Sequence, residues 1–207
     1  MCGIFSYIAL KNRKPDISKL FDNFYSLKHR GPDSDGVWIN NDRNVGLAHT
    51  RLSILDLSVA ASQPMISDNG NYVIVFNGEI YNHLEIRNKL SIRSFKSHSD
   101  TETLLYAFQE FGIETTLNMT VGMFALALWD RENKTLYLAR DRFGEKPLYY
   151  GFSNGNFIFS SELKALKKYP NFNSDLNRES IALYFRYSYI PSPFTIYNGI
   201  NKLPPGS

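Results

Sequence analysis

Cysteine is almost absent from this chain, since Cys2 is the only one among 207 residues. A single cysteine cannot form a disulfide within the chain, which is typical of proteins in a reducing compartment. The sequence after Met1 also lacks the basic leader, the long apolar run and the small-residue cleavage site of a secretory signal. We therefore expect a cytoplasmic protein.

Long apolar stretches and runs of one charge are lacking as well. No stretch approaches the roughly 20 apolar residues that a membrane-spanning helix needs. The 23 basic and 20 acidic residues leave a net charge of +3, and they are spread along the chain without a basic run or an RNA-binding motif. We expect neither a membrane nor a nucleic acid as a partner, and we assign no metal site.

What is present is a cysteine directly behind the initiator Met1. Once Met1 is removed, Cys2 offers a thiol and a free α-amine on one residue, and the amine can take the thiol proton. An α-amino pKa of about 7.7 to 8.0 is near the pH at which such a base must work. With Met1 attached, this nitrogen is a peptide amide, so the sequence as it stands is an inactive precursor. The alternative is that Cys2 is a small buried hydrophobic residue without chemistry.

Hydrophobic patterning in the first half predicts both strands and helices. The apolar run over residues 3–10 predicts a buried strand that places Cys2 at a sheet edge. A helix is predicted from Asp16, with apolar residues at helical spacing, and it should end before Gly31. Further strands are predicted over 36–39, 45–51 and 72–76, and further amphipathic helices over about 82–90 and from Asp100 to Gly112.

The second half predicts an antiparallel meander with strands over 123–129, 135–140, 147–152 and 157–160. The run over 122–129 is apolar at nearly every position, which indicates burial on both faces and requires another layer beyond the sheet. We expect an α+β fold, a four-layer αββα sandwich of two mainly antiparallel sheets with helices outside both. The Pro-rich segment 189–207 predicts an edge strand or linker.

Polar motifs lie at predicted strand ends and helix starts, where side chains can leave the core and meet a ligand. If the Cys2 thiolate attacks an amide carbonyl, the developing oxyanion needs donors aimed at it. Asn77 offers a side-chain amide and Gly78 a backbone N–H. The alternative is that Asn-Gly forms a simple turn.

Two charged residues suit the recognition of a free amino acid. Arg51 could hold an α-carboxylate with its planar guanidinium, and Asp100 could accept from an α-ammonium. Taken alone, Arg51 could equally be a surface ion-pair partner, and Asp100 could equally cap the helix that follows it.

The order of these motifs along the chain resembles that of a known family. The set comprises Cys2-Gly-Ile, RGPDSDG, RLSILDLS, FNGEIYN, SDTE, GMFALALWD, RDRFGEKPLYY and SSELKAL. It resembles the asparagine synthetase (glutamine-hydrolysing) family over nearly the whole chain. The similarity is to that family's N-terminal class II glutamine amidotransferase domain, which is an N-terminal-nucleophile hydrolase with an αββα sandwich.

The resemblance implies a role for each matching position. Cys2 corresponds to the nucleophile and its own base, Asn77 and Gly78 to the oxyanion hole, and Arg51 to the carboxylate clamp. In such proteins the strand continues beyond the arginine and lines the glutamine pocket, with two acidic residues on the ammonium side. The implied pocket residues are Leu52, Ser53, Ile54, Leu55, Glu79 and Asp100, while Arg30 and Asp33 shape the wall near the nucleophile.

The resemblance also implies a longer protein. Residues 1–207 would form the amidotransferase domain, truncated before a C-terminal ATP-dependent synthetase domain. Neither that domain's Ser-Gly-Gly-x-Asp-Ser loop nor a P-loop occurs here, so we expect no cofactor in this chain and place ATP and Mg²⁺ in the missing domain. The expected partners are L-glutamine and the synthetase domain, with a homodimer left open.

In the family, ammonia passes through an internal tunnel to an ATP-activated aspartate. The strand over 123–129 could wall such a route, or it could be ordinary core. This chain alone would be at most a glutaminase. Two other functions stay open, namely the same hydrolase fold serving a different acceptor, as in amidotransferases that make amino sugars or purine precursors, and a non-catalytic binding module.

Overall fold

Two antiparallel sheets form the centre of the computed structural model, which describes residues 1–10 and 23–207. The strands of the first sheet are β1 (Gly3–Ile8), β2 (Ser34–Ile39), β3 (Val45–Arg51), β8 (Tyr149–Ser153), β9 (Asn156–Ser160) and β10 (Ile200–Lys202). They lie in the order β10-β8-β9-β1-β3-β2. The strands of the second sheet, in spatial order, are β4 (Met65–Ile66), β5 (Tyr72–Ile80), β6 (Gly122–Asp130) and β7 (Thr135–Arg140).

The helices include α1 (His83–Lys89), α2 (Asp100–Phe111), α3 (Ile113–Met119), α4 (Leu163–Lys167) and α5 (Arg178–Tyr187). The start of α2 follows from its cap, because the side chain of Ser99 accepts the N–H of Glu102, a donor that the first turn of a helix otherwise leaves unpaired. The helix ends at Gly112, whose φ of 81° is accessible to glycine without strain.

The residues of β6 show why two sheets and an outer helical layer are needed. Phe124 and Leu126 face outward and pack with Leu104 and Phe108 of α2. The intervening Ala125, like Ala127, faces inward and packs with residues of the first sheet. Both faces of the strand are therefore buried, as the uninterrupted apolar run predicts.

The first sheet repeats this arrangement on its own two faces. Ile4 of β1 lies between the sheets, whereas Phe5 and Tyr7 face outward and pack with Phe24 and with Leu166 of α4. The α+β fold of two packed antiparallel sheets with helices outside both is thus confirmed. No helix within the described ranges is both long and apolar enough to cross a bilayer.

Several predicted boundaries need correction. The strand that the resemblance continues through Leu55 ends at Arg51, as the pattern over 45–51 predicts, and the N–H of Leu52 donates to the thiol of Cys2 instead. The strand expected to stop at Phe76 runs on to Ile80, since it pairs with β6 over its whole length. The predicted helix from Asp16 lies over residues 16–22 outside the described part of the chain, and residues 23–25 are helical.

Other outcomes concern the C-terminal segment and several short elements. The predicted edge strand within 189–207 is confirmed by β10, which pairs with β8 at the border of the first sheet. Helices α3, α4 and α5 and the short β4 were not predicted from the sequence.

Candidate active site

Three predicted site residues lie together because each continues the inter-sheet face of its strand. Residues two apart in a strand share a face, and counting by two from the core leads to Cys2 before β1, to Arg51 in β3 and to Asn77 in β5. All three reach the same open end of the sandwich. The core side chains from which the count starts are Ile4, Leu47 and Val75.

A cavity of about 170 Å³ opens at this end. The structure brings together there nine of the ten catalytic and pocket residues that the resemblance implies: Cys2, Arg51, Leu52, Ile54, Leu55, Asn77, Gly78, Glu79 and Asp100. Ser53, the tenth, is not among the lining residues. Its N–H instead donates to Oδ2 of Asp33 at 2.7 Å, so Ser53 helps fix the loop behind the wall.

The thiol of Cys2 is held by the backbone of Leu52. The N–H of Leu52 donates to Sγ at 3.4 Å, and Sγ lies 3.7 Å from the carbonyl oxygen of the same residue. Arg30 Nε donates to the carbonyl of Cys2 at 2.8 Å and Nη1 to Glu162 at 2.9 Å. Burial raises the pKa of the Cys2 thiol, and the hydrogen bond from Leu52 opposes that rise.

Arg51 is buried and is held by its own loop. Its guanidinium donates to the carbonyl oxygen of Ser58 at 2.9 Å and to that of Asp56. Within the described residues no carboxylate lies within ion-pair distance of it, so the surface ion-pair interpretation is wrong. Because a guanidinium has five N–H groups in a fixed plane, donors remain for a carboxylate in the cavity.

The free edge of β5 presents a row of backbone N–H groups. Every second residue of an antiparallel strand points its N–H away from a given neighbour. On this edge the N–H of Phe76 donates to Oε1 of Gln63 at 2.6 Å, and that of Ile80 donates to Oδ2 of Asp100 at 2.9 Å. Gly78 lies between them in the same alternation, beyond the end of β4, so its N–H points out of the sheet edge at the cavity.

The neighbouring Asn77 also offers a donor. Its side chain is buried, lines the cavity, and has no hydrogen-bond partner for Nδ2 within the described residues. The Asn-Gly turn interpretation is wrong, because both residues belong to β5. Gly78 is required by the close approach of β6, since a Cβ there would lie 2.3 Å from the carbonyl oxygen of Met123.

Two carboxylates, those of Glu79 and Asp100, line the cavity as well. Burial raises the pKa of Asp100 to about 6, and the charge of Glu79 acts in the same direction, whereas the N–H of Ile80 opposes it. Asp100 is not the helix cap that the sequence allowed, because Ser99 occupies that position. Its carboxylate instead lines the cavity and accepts the N–H of Ile80 at the edge of β5.

His49 links the two sheets beneath the site. Its Nε2 lies 3.0 Å from the carbonyl oxygen of Phe76, next to Asn77. Burial lowers the pKa of His49 to about 4, so the ring is neutral at physiological pH and Nε2 carries the proton that it donates to this carbonyl. No role was predicted for His49 from the sequence.

Lys146 was also missed. It lines the cavity and is 7% exposed. It belongs to the RDRFGEKPLYY motif, which the sequence analysis used only for the family resemblance. A lysine directly before a predicted apolar strand gives no signal by itself, because such residues are ordinarily solvated.

Comparison with known proteins agrees with this geometry. A family model described as "Glutamine amidotransferase domain" matches residues 1–207. The chain is 36% identical to "Putative asparagine synthetase (glutamine-hydrolyzing) 2" of Methanocaldococcus jannaschii, with 98% of this chain and 42% of that protein covered. It is also 36% identical to "Asparagine synthetase (glutamine-hydrolyzing) 1" of Bacillus subtilis, with 100% of this chain and 33% of that protein covered.

A solved structure shows the same fold. Glutamine phosphoribosylpyrophosphate amidotransferase from B. subtilis, complexed with ADP and GMP, superposes with a TM-score of 0.67 at 20% identity, covering 80% of this chain and 43% of its own. The fold expected of an N-terminal-nucleophile hydrolase is therefore confirmed, while the chain spans less than half the length of these relatives. Together, these comparisons show that the chain belongs to the glutamine amidotransferase domain family and is homologous to glutamine-hydrolysing asparagine synthetases.

Proposed function

We propose that this chain is the glutaminase part of a glutamine-dependent asparagine synthetase. The observation that carries the proposal is a single cavity that joins the Cys2 thiol, the donors of Asn77 and Gly78, and the opposite charges of Arg51 and Asp100. A nucleophile, an oxyanion site and a clamp for a zwitterion are what the hydrolysis of an amino-acid amide requires.

L-Glutamine is the proposed substrate. Its α-carboxylate would bind the guanidinium of Arg51, and its α-ammonium would face the carboxylates of Asp100 and Glu79. This leaves the side-chain amide directed toward Cys2. Leu52, Ile54 and Leu55 line the same cavity and would contact the methylene groups of the substrate.

The proposed chemistry has two steps. The thiol of Cys2 loses its proton to the α-amine freed by removal of Met1, and the sulfur attacks the side-chain carbonyl carbon of glutamine. Nδ2 of Asn77 and the N–H of Gly78 donate to the oxyanion, the carbon–nitrogen bond breaks, and the amine returns the proton to the departing ammonia. Water then hydrolyses the γ-glutamyl thioester, releasing glutamate and regenerating the thiol.

The use of the ammonia is the second part of the proposal. The named relatives are more than twice as long as this chain, which covers 42% and 33% of them. We place the amidation of aspartate in a C-terminal synthetase domain, with residues 1–207 as the amidotransferase domain. ATP and Mg²⁺ would bind in the synthetase domain rather than in this chain.

The test uses the full-length protein with L-glutamine. We expect glutamate to form, and an electrophilic glutamine analogue to label Cys2. The Cys2→Ala variant should fold, bind glutamine and release no ammonia above background, because the nucleophile is gone. Ammonia release at an unchanged rate in Cys2→Ala would falsify the mechanism.

The same preparation separates the remaining alternatives. With aspartate, ATP and Mg²⁺ added, asparagine should accumulate in step with glutamate. Glutamate without asparagine would indicate a different acceptor. Absence of both labelling and glutamate formation in a protein with Met1 removed would indicate a non-catalytic module.

A further inference from the structure

Lys146 occupies an unusual position for a lysine. Its side chain lies on the wall of the Cys2 cavity and is almost fully buried. Among residues 1–10 and 23–207, no carboxylate lies within ion-pair distance of its Nζ. Because a buried ammonium without a counter-ion is costly, such groups are concentrated at functional sites.

The backbone around Lys146 is held in place on both sides. The carboxylate of Asp141 accepts the N–H of Phe143 at 3.1 Å, of Glu145 at 2.9 Å and of Lys146 at 3.0 Å. The guanidinium of Arg140 donates to the carbonyl oxygen of Lys146 at 2.6 Å. The loop is therefore fixed by two buried or half-buried charged side chains, and the lysine side chain enters the cavity from a rigid base.

The chain's amino terminus lies at the same cavity as Lys146, since Met1 and Cys2 both line it. Burial lowers the pKa of the Met1 amine, and the charges of Arg30 and Lys146 lower it further, against Cys2 and Asp33. Arg30 is already bonded to the Cys2 carbonyl and to Glu162. The other charged groups lining the cavity are Arg51, Asp56, Glu79 and Asp100.

We propose that Lys146 is a positioning residue that acts through the α-amine freed on Cys2 when Met1 is removed, its ammonium repelling a proton so that the amine is available as a base near neutral pH. The proposal rests on the proposed glutaminase function. It assigns the tuning of the base to a residue outside the predicted pocket set.

The first test is the pH profile of glutamine hydrolysis by the full-length protein with Met1 removed, as verified by intact mass. In Lys146→Met the amine should hold its proton to higher pH, so kcat/KM at pH 7 should fall by about threefold to tenfold. The loss should shrink as the pH rises and vanish near pH 9, where the amine is deprotonated in both proteins. Lys146→Arg keeps the charge and should restore most of the activity.

The matched control is Lys96→Met. Lys96 is exposed, pairs with Asp68 at 2.6 Å and lies outside the cavity, so its removal should leave the profile unchanged. A loss in Lys146→Met that is equal at all pH values would show a structural role only and would overturn the proposal. So would a profile that does not move.

A second measurement needs no glutaminase activity. In a Cys2→Ala background the α-amine remains, and its acylation by limiting acetic anhydride, read on the N-terminal peptide by mass spectrometry, reports the fraction that is unprotonated. Lys146→Met should slow this acylation about threefold to tenfold at pH 7 and leave it unchanged at pH 9. Equal rates at pH 7 would overturn the role of Lys146, whereas a parent protein that hydrolyses no glutamine would overturn the proposed function and leave this readout decisive.

Discussion

The carboxylate of Asp100 accepts the backbone N–H of Ile80 at 2.9 Å, two residues beyond Gly78 on the same edge of β5. This bond ties the start of α2 to the end of β5. The acidic group proposed to face the glutamine ammonium and the N–H proposed to face the oxyanion therefore keep a fixed spacing. Burial of the carboxylate is costly and raises the pKa of Asp100 to about 6, and the hydrogen bond from Ile80 offsets part of that cost.

Replacing Asp100 should weaken glutamine binding without preventing the protein from folding. Asp100→Asn keeps an oxygen that can accept from Ile80 but removes the charge. We expect glutamine binding to weaken by about 1.5 to 3 kcal/mol, the range for a lost hydrogen bond to a charged group. Isothermal titration with glutamine in a Cys2→Ala background measures this, and the exposed Glu114→Gln is the control. Unchanged affinity would leave Asp100 with only a structural role.

Arg51 allows a parallel test on the carboxylate side. In Arg51→Lys the ammonium cannot donate to the carbonyls of Asp56 and Ser58 and also grip a carboxylate with two parallel bonds. The KM for glutamine should rise about tenfold to a hundredfold, with kcat much less affected, because the clamp acts equally in the bound substrate and the transition state. Steady-state glutamate formation is the measurement, and the exposed Arg178→Lys is the control. A fall confined to kcat would contradict the clamp.

A substitution at Gly78 tests how closely β5 and β6 approach each other. A Cβ at this position would lie 2.3 Å from the carbonyl oxygen of Met123 and 2.6 Å from Cα of Phe124, and neither backbone atom can move without disturbing the sheet. Gly78→Ala should lower the free energy of unfolding by about 3 kcal/mol. At Gly112 a Cβ would meet no atom of residues 1–10 or 23–207 within 4 Å, but φ is 81°, so Gly112→Ala should cost only about 1 kcal/mol. Chemical denaturation of both variants decides, and equal losses would show that crowding at Gly78 is relieved.

The strands around the cavity show how much of the fold the sequence predicts. Periodicity predicted β1, β3 and β6, and counting by two places Cys2, Arg51 and Asn77 on one face. The prediction for β5 ended at Phe76, because the local preference of the dipeptide Asn77-Gly78 is for a turn. Pairing with β6 overrides that preference. The pattern correctly ended β3 at Arg51, but it did not indicate that the next residue, Leu52, would contact the thiol of Cys2, fifty residues away in sequence.

Lys146 illustrates the other limit. Its burial depends on the hydrogen bonds that Asp141 and Arg140 make to the loop backbone, and no periodic pattern reports those. His49 is similar, since its partner is a carbonyl on the opposite sheet. Sequence patterns predict which side chains share a face of one strand, but not which groups meet between elements that are distant along the chain.

His49 and Asp100 should oppose each other in the acid stability of the protein. The folded-state pKa of His49 is about 4, below its usual value of about 6.5, so the unfolded chain binds the extra proton and stability is lost as the pH falls through this window. The folded-state pKa of Asp100 is about 6, above its usual value of about 3.9, so the folded chain binds the proton and stability is gained as the pH falls from 6 to 4.

Each contribution is on the order of 3 kcal/mol over its window, so the two nearly cancel in the wild-type protein between pH 6 and 4. Asp100→Asn should be more stable than wild type at pH 7 and lose that advantage by pH 4, because only the His49 contribution remains. His49→Gln should show the opposite trend, gaining stability relative to wild type as the pH falls. Urea denaturation at pH 4, 5, 6 and 7 measures the difference in the free energy of unfolding between each variant and the wild type. The contributions of the other titrating groups cancel in this difference. Parallel curves for the wild type and both variants would mean that neither residue is titrating in the folded state as its burial requires.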